Sequence, residues 1–213
     1  MKLRSREAIL LLLVVILPVA FLAGCACAGS LRPIGSPERL TTAPQIEGTW
    51  RSKGENDPPI TVSRTGEKSY QLRWKEKDKK VEMVFDLSLL EIDNRLFFDA
   101  AFRHVETESE RESAYDLGVA PIHFIGRVWV EGNAMRVRLL EYKWLEQKVK
   151  DGQVNLAYVE NHETDEDLIL FTAKAEDVQA FLQQHAEDEG AFSQVTTFES
   201  VPPESRAAEK PEI

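Results

Sequence analysis

Between Ile46 and Thr172 apolar side chains recur at every second position in run after run, and this alternation limits the fold more than any other feature of the chain. Tyr70, Leu72 and Trp74 alternate with Gln71, Arg73 and Lys75. Val81, Met83, Phe85 and Leu87 alternate with Glu82, Val84 and Asp86. Ile122, Phe124, Val128 and Val130 share one side, opposite His123, Arg127 and Glu131. Met135, Val137 and Leu139 oppose Arg136 and Arg138, and Val154, Leu156 and Tyr158 oppose Asn155 and Ala157. Neighbouring side chains of a strand point to opposite faces, so each run has one dry and one wet face. That pattern marks antiparallel sheet, because parallel strands are buried on both faces.

Turn residues fall between the runs: Arg64-Thr65-Gly66-Glu67, the charged cluster Lys75 to Lys80, Asp93-Asn94, Gly132-Asn133 and Asp151-Gly152. Gly132-Asn133 suits a tight hairpin that needs positive φ. The spacing predicts eight or nine strands from Ile46 to Thr172, and so many short strands close together predict a barrel-like or strongly curved antiparallel sheet. Two helices are expected: a short one over Tyr142–Val149, and a firmer one over Ala175–His185. The second carries the apolar stripe Val178, Phe181 and Leu182, with Glu176-Asp177 at its positive end. Two cysteines, Cys25 and Cys27, cannot staple such a domain, so burial must hold it.

The chain of 213 residues has a formal net charge of −10. Nucleic-acid binders need lysine and arginine to displace counterions, so this balance argues against that class. Lys2, Arg4 and Arg6 precede an apolar run of 16 residues from Ala8 to Ala23. A bilayer-spanning helix needs about 20, and Pro18 would kink it. The run fits the apolar core of a signal peptide better.

The run ends Leu22-Ala23-Gly24-Cys25, which resembles the lipobox of bacterial lipoproteins: Leu at −3, small residues at −2 and −1, Cys at +1. The resemblance implies that the Cys25 thiol receives a diacylglyceryl group. A signal peptidase that recognises Leu22, Ala23 and Gly24 then cuts after Gly24, and the new amino group takes a further chain such as palmitate. Several acyl chains give lasting attachment where one does not. An uncleaved signal anchor, and ordinary cleavage near Ala26 or Ala28, remain alternatives. In Gram-negative members of this class Asp after the cysteine favours the inner membrane, so Ala26 implies the outer one. For Cys27 a free thiol, a second acylation site and an intermolecular bridge stay open, and an idle residue in a flexible tether is the favoured reading. Loss of residues 1–24 would leave 23 basic and 35 acidic side chains, a net of −12, so anionic lipid would repel the body and the anchor would be the lipid alone.

The expected organisation is therefore a signal peptide at 1–24 and a lipidated, Pro- and Gly-rich tether at 25–45. An antiparallel β domain at 46–198 follows, closed by the helix 175–185, and a disordered tail at 199–213.

Gly48-Thr49-Trp50 on the first strand resembles the Gly-x-Trp of lipocalins, whose tryptophan closes one end of a barrel. The resemblance implies a mouth able to take an apolar ligand, lined by Trp50, Trp74, Phe85 and Phe124. It also implies a late-strand arginine stacked on the tryptophan, for which Arg127 and Arg138 both qualify. A short core Trp after a strand-start Gly is the plainer reading of the same residues.

Arg103 to Gly118 alternates acids and bases and reads as a solvated loop, or else a lid. The acidic groups Glu106/Glu108/Glu110 and Glu163/Asp165/Glu166/Asp167 lack the spacing of a calcium loop. His104, His123, His162 and His185 form no zinc pattern, and His123 falls on the wet face of its strand. No nucleophile elbow, phosphate loop or dinucleotide fingerprint is present, so neither catalytic residues nor a cofactor are assigned. Three readings stay open: a binding module for an apolar or amphipathic ligand, an interaction protein docking another envelope component, and a hydrolase with a dispersed site. The first needs a cavity above solvent size inside the barrel and fails if the core is filled, and the last needs a cleft that joins a histidine to a carboxylate.

Overall fold

The computed structural model describes residues 27–52, 58–75, 81–107, 111–113, 121–161 and 167–202, with backbone alone at Cys27 and 111–113. The described residues form one sheet of 13 strands. In chain order these are β1 (Cys27–Ser30), β2 (Leu40–Thr41), β3 (Gly48–Ser52), β4 (Ile60–Arg64), β5 (Ser69–Lys75), β6 (Val81–Ile92), β7 (Arg95–Thr107), β8 (Arg111–Ser113), β9 (His123–Glu131), β10 (Ala134–Leu139), β11 (Tyr158–Asn161), β12 (Leu168–Phe171) and β13 (Thr196–Ser200). Two helices, α1 (Tyr142–Lys150) and α2 (Ala175–His185), and a 3₁₀ turn at Pro44–Ile46 complete the set. None of these helices is long and apolar enough to cross a membrane.

Strands β3 to β7 pair in succession, β7 pairs with β9, and β9 with β10. Strand β13 pairs with β10 on one side and β3 on the other. The result is a closed antiparallel barrel of 8 strands. Closure removes the open edges that a flat sheet of these strands would expose. The tight hairpins carry the backbone their turns require: Asp93 and Asn94 have φ of +49° and +58°, and Gly132 has +62°.

The alternating residues fill the barrel interior. Trp50, Val62, Leu87, Phe98, Val128 and Phe198 are all buried there in one cluster. A second cluster lies outside the wall, where Leu90, Ile92, Phe97 and Ile125 meet α1 and α2 through Leu145, Val178, Phe181 and Leu182. Strands β6, β7 and β9 therefore bury both faces over part of their length. Arg127 and Arg138 point to this outer side and hold the segment after α2. Arg127 donates to Ala186 O at 3.0 Å, and Arg138 donates to Phe192 O and Ser193 O at 2.7 Å each. Burial pushes the Arg127 guanidinium below its ordinary value, against the pull of Glu187.

Several expectations need correction. The Pro- and Gly-rich stretch before the barrel is no flexible tether from Cys27 onward. Strand β1 pairs in parallel with all of β12 and, through Gly29 and Ser30, with Phe124 and His123 of β9. Small residues fit here because a side chain at Gly29 would run into the His123 carbonyl. Helix α2 does not close the chain: β13 follows it as the last barrel strand, and Val201 N–H still bonds Thr49 O at 2.8 Å. Residues Val154 and Leu156 form no strand, which begins at Tyr158. Residues 103–107 and 111–113 belong to β7 and β8 rather than to a loop. Residues 1–26 and 203–213 lie outside the described residues.

His123 is buried, not wet. Its Nδ1 lies 2.6 Å from Asp99 Oδ1, and Asp99 Oδ2 accepts from Ile34 N–H at 2.8 Å. Gln179 of α2 donates to Ile34 O at 2.7 Å. One carboxylate thus ties the N-terminal segment to the barrel wall. Asp99→Ala leaves two buried partners unmatched and is expected to lower unfolding free energy in urea by about 2–5 kcal/mol. Asp99→Asn, which keeps an acceptor, is expected to lose less.

Candidate functional site

The register decides which inward side chains are neighbours across the strands. Trp74 pairs with Ile60 and Met83, Phe85 with Leu72 and Phe102, and Phe124 with Ala100. All of these face inward. Phe85, Phe102 and Phe124 meet as a trio, with Phe85 edge-on to Phe102 at 5.7 Å and to Phe124 at 6.4 Å. The trio, with Trp74, Leu72 and Ile60, is only half-buried. These residues lie toward the end where β3, β5 and β7 finish and β4, β6 and β9 begin. The connections at that end run through 53–57, 76–80, 108–110 and 114–120, outside the described residues.

Other inward side chains are more deeply buried. Trp50 is 4% exposed, and its indole N–H donates to Ile46 O at 2.8 Å on the 3₁₀ turn. Tyr70 is 1% exposed; its hydroxyl accepts from Ala43 N–H at 3.0 Å and from Arg64 Nη2 at 3.3 Å. Arg64 also pairs with Glu47 at 3.1 Å. The hydrogen bond it donates to Tyr70 raises the Arg64 guanidinium above its ordinary value. Of the four expected lining residues, Trp74, Phe85 and Phe124 are half-buried toward the end where β6 and β9 begin, and Trp50 is fully buried. Neither Arg127 nor Arg138 reaches Trp50, since both face outward. The arginine at the closed end is Arg64, whose guanidinium lies 5.6 Å from the centre of the Tyr70 ring.

Sequence reasoning missed Phe102. The alternation Leu96, Phe98, Ala100, Phe102 carries the signal, and only the charged stretch after it hides the strand's continuation. A bulge follows, since Val84 pairs with His104 but Phe85 with Phe102.

Among the described residues histidine–carboxylate pairs occur in three places: His123–Asp99 at 2.6 Å, His104–Glu106 at 2.9 Å and His185–Asp188 at 2.8 Å. All three histidines are buried. Ser30 stands opposite His123, but its hydroxyl donates to Phe171 O at 3.2 Å and accepts from Arg32 N–H at 3.1 Å. A cavity of about 250 Å³ lies outside the barrel between Ser36–Arg39 and α2, lined in part by Glu38, Glu176 and Gln179. No histidine lines it. Among the described residues no group of three or more His, Cys, Asp and Glu side chains is placed to hold a metal. Glu108, Glu110, His162 and Glu163 to Glu166 fall outside the described residues, as do Leu22, Ala23, Gly24 and Cys25.

Glu106 accepts from both His104 and Arg73. The His104 bond, first among the causes, holds its carboxyl below the ordinary value of 4.5. A depressed carboxylate contributes stability that is complete above its unfolded value and fades as pH falls through the folded one. The stability gap between wild type and Glu106→Gln, measured by thermal melts, is therefore expected to be widest near neutrality. It should shrink as pH drops below 4.5.

Compared with models of protein families, with curated proteins and with solved structures, the chain matches none.

The difference in burial predicts two different tryptophans. Trp50→Ala empties a packed layer and is expected to cost about 3–5 kcal/mol in chemical denaturation. Trp74→Ala, at the half-exposed end, is expected to cost less than about half as much.

Proposed function

We propose that this protein is a lipid-anchored component of the bacterial cell envelope whose barrel mouth binds an apolar or amphipathic small molecule without transforming it. The observation that carries the binding reading is the aromatic trio Phe85, Phe102 and Phe124, half-buried together at one end of the barrel. Folding normally hides such side chains, and an apolar surface that stays open gains when a ligand removes water from it. Because Trp50 is buried and bonded to the 3₁₀ turn, the ligand sits at the mouth, with its apolar part on the aromatic rings and its polar part toward solvent.

Membership in the lipocalin-like barrels goes with this proposal. An up-and-down meander closed by its first and last strands supports it, as does Gly48-Thr49-Trp50 resting on a 3₁₀ turn. The chain departs from that pattern in placing α2 before the last barrel strand and in stacking its closed-end arginine on Tyr70. The lipobox Leu22-Ala23-Gly24-Cys25 supports the anchor and the envelope location. Ala26 favours the outer membrane where there is one.

Dodecanoate titrated against the purified chain is expected to change tryptophan emission saturably. Phe85→Asp, which places a charge in the mouth, is expected to weaken binding at least about tenfold, equivalent to about 1.4 kcal/mol. Unchanged affinity in that variant, or no binding by wild type, would remove the mouth as a site for such ligands. The anchor is read separately, by intact mass from the native host. A chain beginning at Cys25 with added acyl mass is expected, and Cys25→Ser should lack it.

A further inference from the structure

We propose that the barrel lies directly against a lipid bilayer, on the flank that carries β1, β12 and β11, and is not held away from it on a stalk. This rests on reading Cys25 as the acylated residue. Ala26 alone separates Cys25 from Cys27, the first residue of β1. A chain spans at most about 3.6 Å per residue, so the acylated residue's Cα lies within about 7 Å of a Cα built into the wall. That wall position is firmly held. Strand β1 pairs along its whole length with β12, Ser30 is buried, and the Ile34 amide is bound by Asp99.

The magnitudes separate the two geometries. A free stalk over the 20 residues 26–45 would reach roughly 70 Å. The actual span of about 7 Å is shorter than the screening length of about 8 Å at physiological ionic strength. An acidic body therefore has no slack with which to leave the field of the headgroups, and its own flank must meet them.

A second observation falls on the same flank. Of the three large apolar side chains exposed among the described residues, Leu31 and Val159 lie here, while Val195 precedes β13. Leu31 directly follows β1, and Val159 lies on β11, two strands from β1 or about 10 Å away. Across the barrel from β9 stands β4, and its turn into β5 exposes Thr65, Glu67 and Lys68 instead.

The test uses the full lipidated chain in phosphatidylcholine vesicles that contain a headgroup-nitroxide lipid. Each protein carries Cys27→Ser and one fluorescent label, either at Val159→Cys or at Glu67→Cys. The nitroxide is expected to quench the Val159 label several-fold more strongly than the Glu67 label. Insertion of ten Gly and Ser residues after Ala26 is expected to erase most of that difference, and circular dichroism confirms folding of each variant. Equal or reversed quenching in a chain whose intact mass shows acylation at Cys25 overturns the proposed orientation and leaves the anchor standing. A chain without acyl mass overturns both.

Discussion

Closure of the sheet is the constraint on which the other features depend. Once β13 pairs with β3 and β7 with β9, every inward side chain must find room in one cross-section. Gly126 shows how tight that section is. A side chain there would meet both the Phe98 ring and the Arg138 carbonyl, so the ring occupies the space that a Cβ would take. Closure also fixes where the remaining elements can go. The inside is spent, so α1, α2 and the β1–β12–β11 extension must pack on the outer wall. The strands beneath them then carry apolar residues on both faces, as Phe97 and Phe98 do on β7.

The outer wall is where polar chemistry became structural. Asp99, His123 and Ser30 face outward from neighbouring strands and are all buried. Each has partners: Asp99 joins His123 and the Ile34 amide, and Ser30 bonds the Phe171 carbonyl. Buried polar groups so matched cost little, whereas any one left alone would cost heavily. Their geometry resembles catalytic hardware at the level of residue types, but their burial and their existing bonds assign them to holding the N-terminal segment. The same logic covers His185, packed between Trp144 and Phe181 and bonded to Asp188.

These facts explain which parts of the fold were legible. Alternation reveals the face of a side chain, and it placed Trp74, Phe85 and Phe124 inward correctly. It also put Trp50 inward, but it could not tell the buried interior from the mouth. Height in a barrel depends on strand tilt and register, which accumulate round the whole closed sheet and appear in no single run. The wet face of β9 misled for a related reason: polar residues there imply water only if no second layer covers them. Strand β13 escaped notice because Thr-Thr-Phe-Glu-Ser has one strongly apolar residue, and β1 because Cys-Ala-Gly-Ser has none that is large. Both are strands by virtue of their neighbours' edges, a tertiary cause without a local signal.

The arithmetic of the mouth limits what it can hold. Apolar surface removed from water is worth about 25 cal/mol per Å², so covering roughly 100 Å² of aromatic ring would yield about 2.5 kcal/mol. Association alone costs at least about 4 kcal/mol in lost freedom. The surface of the rings alone therefore falls short of that cost, and the ligand's own buried surface must supply the rest. A long acyl chain adds its own buried methylenes, at about 0.8 kcal/mol each, so about two cover the remaining shortfall and each further one adds affinity. A buried Trp50 and a half-buried aromatic rim thus favour an elongated amphiphile lying across the opening over a compact ligand enclosed within it.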